Sequence, residues 1–195
     1  MASAKRLAFA FAFEAGLGLV ALGLGWILGV NPWKLDGAMW RAPALGLGAA
    51  LPLIGALIAT FASSWQPLVN LRRIVRQMVG RFFGTLSVPG VLLLSLGAGF
   101  GEELLFRGFL QDWVAGGLGP AAGLVIAAVA FGLLHWITTA YAVYATVLGA
   151  YMGLLYLATG NILAPALCHA AYDAFALLYV ARRAGPDGEV APGGS

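Results

Sequence analysis

Charged residues are scarce in this sequence. They make up 10% of its 195 residues, and hydrophobic residues make up 61%, with a mean hydropathy of +0.89. Soluble domains carry roughly a quarter charged residues, so this balance excludes a soluble globular domain and indicates an integral membrane protein. The 28 glycines fit transmembrane helices that pack closely through small residues. The length allows one helical bundle and no second domain.

Cysteine and long basic tracts are also lacking. The single cysteine, Cys168, excludes an intrachain disulfide and a cysteine-rich zinc site. The formal net charge is +3, and the basic residues flank apolar segments without forming a long tract. We therefore expect no nucleic-acid partner.

Six apolar stretches predict six transmembrane helices. They run from Leu7 to Val30, Pro43 to Ser63, Val88 to Val114, Ala121 to Ile137, Ala142 to Ala158 and Ala166 to Ala181. Together with one amphipathic segment between the second and the third, they predict an all-α fold. This fold is a polytopic membrane helical bundle of about six transmembrane helices plus one interfacial helix.

The amphipathic segment spans residues 66–87. It places Arg72, Arg73, Arg76 and Arg81 among apolar side chains, which predicts a helix lying on an anionic membrane surface. The alternative is that these arginines bind a nucleic acid or a partner.

We predict one transmembrane helical domain over residues 1–183. Residues 184–195, rich in glycine and proline, are expected to form a disordered cytoplasmic tail. Of the Lys and Arg residues outside the spans, eight fall on the side of the termini and two on the other side. The positive-inside rule then places both termini in the cytoplasm.

Three ionisable residues interrupt the third apolar stretch. An ionised side chain at mid-bilayer costs about 2.5 to 3.5 kcal/mol on the mildest insertion scales, so Glu102, Glu103 and Arg107 mark a functional-site hypothesis. Glu103 and Arg107 are four residues apart on one helix face, which predicts an ion pair. Glu102 points about 100° away and is predicted to be the free carboxylate.

The two histidines of the chain also fall in apolar stretches. Helix counting places Glu102 and His135 at depths that differ by about 3 Å, so they are predicted to meet across two antiparallel helices. His169 shares a face with Asp173 but lies roughly 10 to 15 Å nearer the outer side, so its helix must be tilted or must begin inside the membrane. A single membrane histidine is often only a packing residue, and the grouping argues against that here. Glu14 has no obvious partner and is expected to pair within the bundle or to reach the interface.

Three motifs in order resemble those of a known family. They are Glu102-Glu103-x-x-x-Arg107, Phe131-x-x-x-His135 and His169-x-x-x-Asp173. They are similar to the motifs of the CAAX-protease and bacteriocin-processing family of intramembrane endopeptidases, also called CPBP or Abi proteins. The resemblance covers about 102–173, inside a protease core of about 88–181.

The resemblance implies roles for four residues. Glu102 is expected to activate water together with His135, while His169 and Asp173 face the reacting carbonyl or a metal. Asp173 stands where the CAAX-processing branch typically has Asn. Three further residues are expected to support this site: Glu103, Arg107 and Phe131.

The implied activity is hydrolysis of a peptide bond in a membrane-associated or lipidated peptide or protein, in the plasma membrane of a prokaryote. The cofactor stays open between none and zinc, which Glu102 (or Glu103), His135 and His169 would bind. The compact His-Glu-x-x-His motif of many zinc proteases is missing, and the mechanism without a metal is favoured. The alternatives are a small proton- or ion-coupled transporter and a catalytically inactive scaffold.

Overall fold

The computed structural model describes residues 2–36, 40–82 and 86–183. Apart from one bridge between Leu35 and Asn161, the regular structure of these residues is helical. The elements are α1 (Ala2–Leu28), α2 (Ala42–Ala62), α3 (Gln66–Phe82), α4 (Val88–Glu103), a π-helical segment (Leu104–Gln111), α5 (Asp112–Leu118), α6 (Pro120–Leu134), α7 (Thr139–Thr159) and α8 (Leu163–Ala181). The predicted all-helical bundle is confirmed. The predicted tail, 184–195, lies outside the described residues.

Five helical stretches of the described chain are long and apolar enough to cross a membrane. They are Ala4–Leu28, Ala42–Ala62, Val88–Leu118, Thr139–Thr159 and Leu163–Ala181. The predicted fourth span differs, because α6 has only 15 residues and ends at Leu134. At 1.5 Å per residue α6 is about 22 Å long, shorter than the roughly 30 Å hydrocarbon core of a bilayer.

The predicted amphipathic segment forms α3. Its apolar residues Leu71 and Val79 are buried, whereas Arg73 is exposed. Arg72 does not simply face outward: its Nη1 donates to the carbonyl oxygens of Thr60, Phe61 and Ser63. A cation at these carbonyls caps the C-terminal end of α2, so Arg72 fastens α3 to the bundle.

Glycines on α4 let two other helices approach closely. A Cβ atom at Gly101 would collide with the backbone carbonyl of Glu14 on α1. A Cβ atom at Gly99 would lie 2.9 Å from the side chain of Ala170 on α8. Close packing through small residues therefore brings α1 and α8 against the part of α4 that carries the two glutamates.

The turn between α7 and α8 is buried. Gly160 takes a left-handed conformation with φ of 62°, and the next two residues, Asn161 and Ile162, are 1% and 0% exposed. The Asn161 side chain donates to the carbonyl of Asp36 at 3.1 Å. Helix α8 thus begins among buried residues at Leu163, three residues before its predicted start. A start among buried residues is compatible with the predicted start of this helix inside the membrane, which stays a prediction.

Candidate active site

A buried ion pair anchors the first motif. Glu103 and Arg107 are both 0% exposed, and Arg107 Nη1 donates to Glu103 Oε1 at 2.8 Å, so the predicted pair is present. Arg107 Nη2 donates to the carbonyl of Gly149 on α7 at 2.9 Å, and its guanidinium lies 4.7 Å from the ring centre of Phe131. These contacts offset the cost of removing two charges from water.

The helix changes its winding directly after the two glutamates. Leu104–Gln111 is a π-helix, a rare conformation that is found often at functional sites. Arg107 lies in its first turn. Apolar periodicity cannot reveal this change, because an α-helical and a π-helical reading of the segment have similar hydrophobic patterns.

Glu103 also orients a histidine of α8. His169 Nδ1 lies 2.8 Å from Glu103 Oε1, the oxygen that already accepts from Arg107. A carboxylate only accepts hydrogen bonds, so Nδ1 carries the hydrogen and donates it. His169 Nε2 is then directed at Asp173 Oδ2, 3.5 Å away, and at Glu102 Oε2, 3.9 Å away.

The sequence does not reveal the Glu103–His169 contact. Spacing along one helix pairs Glu103 with Arg107, but His169 is 66 residues further along the chain. The expected contact of Asp173 with His169 is present, yet the Glu103 contact is the shorter one.

His135 reaches the site from the end of α6. The helix ends at Leu134, and His135 Nδ1 lies 2.8 Å from the carbonyl oxygen of Phe131, so Nδ1 is the donor and Nε2 is left as an acceptor. Nε2 lies 3.8 Å from Glu102 Oε2, and the imidazole stacks on the Phe131 ring with centres 4.3 Å apart. The predicted meeting of Glu102 and His135 is therefore present, although His135 lies just beyond its helix rather than within it.

The four predicted catalytic side chains line one cavity of about 260 Å³. Most of its other wall residues are apolar and come from α2, α3, α7 and α8, among them Leu57, Val75, Met78, Leu148 and Leu177. A polar end and apolar walls are typical of pockets that bind an organic ligand.

One further acid lines this cavity and was not predicted to belong to the site. Glu14 of α1 lines the cavity together with Glu102, His169 and Asp173. Its only signal in the sequence is an acidic residue inside an apolar span. Nothing in the spacing relates it to motifs that lie 88 residues or more further along the chain.

Glu102, His135 and His169 are the side chains that were predicted as zinc ligands. Over 2–36, 40–82 and 86–183, no group of three or more His, Cys, Asp or Glu side chains is placed to hold a metal ion. Glu102 Oε2 lies 3.8 and 3.9 Å from the two Nε2 atoms. Three ligands at ordinary zinc distances would lie about 3.3 Å apart around a tetrahedral ion, so this set does not fit zinc as it stands.

Acids and imidazoles gathered between apolar helices define a class: an integral membrane protein with an acid–base site inside its helical bundle. Residues 84–175 match the family described as type II CAAX prenyl endopeptidase Rce1-like. The resemblance predicted from the three motifs is thereby confirmed for this segment, which is similar to the type II CAAX prenyl endopeptidases.

A curated relative matches as well. It is the uncharacterized protein YpbD of Bacillus subtilis (strain 168), 36% identical over 95 residues, which are 48% of this chain and 47% of the relative. The chain thus spans about half the length of the curated relative that it matches. No solved structure matches it.

Proposed function

We propose that the protein is an intramembrane endopeptidase that hydrolyses a peptide bond of a membrane-associated or lipidated peptide or protein. One observation carries this proposal: Glu102 Oε2 faces the Nε2 atoms of His135 and His169 at 3.8 and 3.9 Å, inside a largely apolar cavity. The match of residues 84–175 to a family of prenyl endopeptidases supports it.

Glu102 and His135 activate water in this proposal. Both present an acceptor atom, and the 3.8 Å between these atoms is too long for a direct hydrogen bond but suits one bridging water. The water donates one hydrogen to Glu102 and the other to His135, which leaves an oxygen lone pair free to attack a carbonyl carbon. Glu102 takes the proton as general base.

His169 acts on the carbonyl oxygen. Glu103 fixes its ring through Nδ1, and a hydrogen on Nε2 has Asp173 as a nearby counter-charge. As the new C–O bond forms, the carbonyl π electrons move to the oxygen, and His169 Nε2–H donates to the negative charge that develops there. The oxyanion electrons then re-form the carbonyl as the C–N bond breaks, and the leaving amine takes the proton from Glu102. The products are a carboxylic acid and an amine, and transfer of the remaining water proton from the acid to the amine gives a carboxylate and an ammonium group.

The cavity walls favour an apolar substrate segment. The side chains beyond the acid–base cluster are mainly aliphatic, so the part of the substrate beside the scissile bond gains stability from apolar or lipid groups. We include in the proposal that the cavity binds a lipid group of the substrate, which this lining and the family match support.

We also propose that the protein lies in the plasma membrane of a prokaryote with both termini in the cytoplasm. This orientation counts the short apolar helix α6 as a sixth crossing, which gives the eight-to-two distribution of Lys and Arg. A reporter fused after Ser195 is expected to be cytoplasmic, and a reporter inserted within 116–119 is expected on the outer side. A reporter after Ser195 that reads out on the outer side would overturn this orientation.

Cleavage of a peptide library by the purified protein tests the activity. The library contains matched peptides with and without a C-terminal prenyl group. We expect the wild type to cleave and Glu102→Ala to be inactive. Asp112→Asn is the matched control, because it removes a carboxylate of the same helical stretch that does not line the cavity. Equal cleavage by wild type and Glu102→Ala would contradict the proposal.

A further inference from the structure

Glu14 is brought to the site by a helix outside the family segment. Helix α1 precedes residues 84–175 and packs against α4 where glycines remove the side-chain bulk. The backbone carbonyl of Glu14 sits against Gly101, and its Cβ atom lies 3.5 Å from where a Cβ of Gly97 would be. The backbone of α1 thus fixes Glu14 beside Glu102.

The two acids leave oxygen atoms that lack a donor. Oε2 of Glu14 and Oε2 of Glu102 are both buried and have no hydrogen-bond partner. Both carboxyl groups line the same cavity, and the Glu14 backbone sits against Gly101, the residue before Glu102. The other titratable groups on the polar part of the wall include His135, His169 and Asp173. Ionised carboxylates only accept hydrogen bonds and repel each other, so a contact between these two is favourable when one of them carries a proton.

We propose that Glu14 is a positioning residue for Glu102: its protonated carboxyl group donates a hydrogen bond to the Glu102 carboxylate and holds it facing the two imidazoles. This inference rests on the proposed function, in which Glu102 activates water. It assigns α1 a part in the active site and leaves the cavity with one negative charge fewer than its acids could carry. The hydrogen bond restrains the base without occupying either imidazole.

Two substitutions of Glu14 distinguish a hydrogen-bond donor from a residue that only packs and from a residue that acts through its charge. Glu14→Gln keeps a donor of the same length, and its kcat is expected to stay within a few-fold of wild type. Glu14→Leu keeps the volume but loses the donor. Its kcat is expected to fall by about 10- to 100-fold with little change in KM, the usual effect of losing a hydrogen bond to a charged group.

The kinetic results can overturn the proposal in two ways. Wild-type kcat in Glu14→Leu would show that α1 only packs against the site. A loss in Glu14→Gln as large as in Glu14→Leu would show that the acid itself, rather than a donor, is needed. Thermal unfolding of both variants in the same detergent checks that they are folded.

Infrared spectroscopy tests the carboxyl pair without relying on activity. In a detergent that contains no ester, the wild type at neutral pH is expected to show the C=O band of a protonated carboxylic acid. The band should disappear in Glu14→Gln and also in Glu102→Gln, because each variant leaves a single carboxylate beside an amide donor. Asp112→Asn should leave it unchanged.

The infrared band and the cleavage assay test different claims, so each can contradict its own claim alone. A band that persists in Glu102→Gln, or that is missing in wild type, would overturn the shared proton and with it the role of Glu14. A wild type that cleaves no peptide while the band behaves as expected would overturn the proposed function and leave the hydrogen-bonded pair standing.

Discussion

Two polar clusters lie between the helices of this protein, and their hydrogen bonding differs. In the Asp112 cluster (Lys34, Asp112 and Tyr156), Asp112 Oδ2 accepts from Lys34 Nζ and from the Tyr156 hydroxyl, both at 2.8 Å. In the site cluster (Glu102, His135, His169 and Asp173), Glu102 Oε2 has no hydrogen-bond partner. It faces the Nε2 atoms of His135 and His169 at 3.8 and 3.9 Å. Asp112 Oδ2 therefore has two donors, whereas Glu102 Oε2 has none.

This difference distinguishes a cluster that stabilises the fold from the cluster that we propose reacts with the substrate. Buried polar atoms are nearly always paired. The two hydrogen bonds to Asp112 Oδ2 tie the loop after α1 to the helices α5 and α7. Glu14, Glu102 and Glu103 each keep an Oε2 atom without a partner. Such atoms are costly in a folded protein, and a substrate or a water molecule can use them.

The largest effect is expected from removing single side chains of the site cluster. Glu102→Ala, His135→Ala and His169→Ala should each reduce cleavage to background, because a positioned acid or base contributes about 10²- to 10⁴-fold. Purified variants are compared with wild type by kcat/KM. All three variants should remain folded in detergent, with His169→Ala the least stable because it also removes the hydrogen bond from Nδ1 to the buried Glu103. Full activity in Glu102→Ala would end the assignment of the base.

The next largest effect is expected from breaking the ion pair that supports the site. Arg107→Ala leaves Glu103 buried without its partner and is expected to lower the free energy of unfolding by about 3 to 5 kcal/mol. Denaturant titration of the purified protein measures this. The double variant Glu103→Gln, Arg107→Met removes both charges and should cost less than Arg107→Ala. Wild-type stability in Arg107→Ala would show that Glu103 does not need its cation.

A small effect is expected from removing the lysine of the Asp112 cluster. The Lys34 side chain is 42% exposed, so water screens its pair with Asp112, and Lys34→Met should change the free energy of unfolding by roughly 0 to 1 kcal/mol. Cleavage by this variant should equal that of wild type. A variant with wild-type stability but much less cleavage would mean that the two clusters are coupled, and the comparison between them would fail.

The sequence is sufficient wherever one helix carries the information. Apolar runs predict the helices, and the four-residue spacing predicts the pair of Glu103 and Arg107. Counting residues along two antiparallel helices also predicted the meeting of Glu102 and His135. The sequence did not predict the contact between Glu103 and His169 or the place of Glu14 beside Glu102, because no spacing relates these distant segments. The end of α6 was also missed, because the apolar run continues past Leu134 while His135 turns back to bond the Phe131 carbonyl.

The smallest effect is expected from removing metal ions. Both imidazoles use Nδ1 for the protein, and their Nε2 atoms lie 3.8 and 3.9 Å from Glu102 Oε2, more than the roughly 3.3 Å between ligands on a tetrahedral zinc ion. The spacing suits a bridging water better, so activity is expected to survive exhaustive treatment with a strong chelator. The measurement is kcat/KM before and after chelation, with the metal content of the active preparation determined in parallel. Stoichiometric zinc, with activity lost on chelation and restored by zinc but not by magnesium, would reverse this conclusion. The two histidines and Glu102 would then have to move together by about half an ångström around the ion, while Glu103 and Arg107 kept their supporting role.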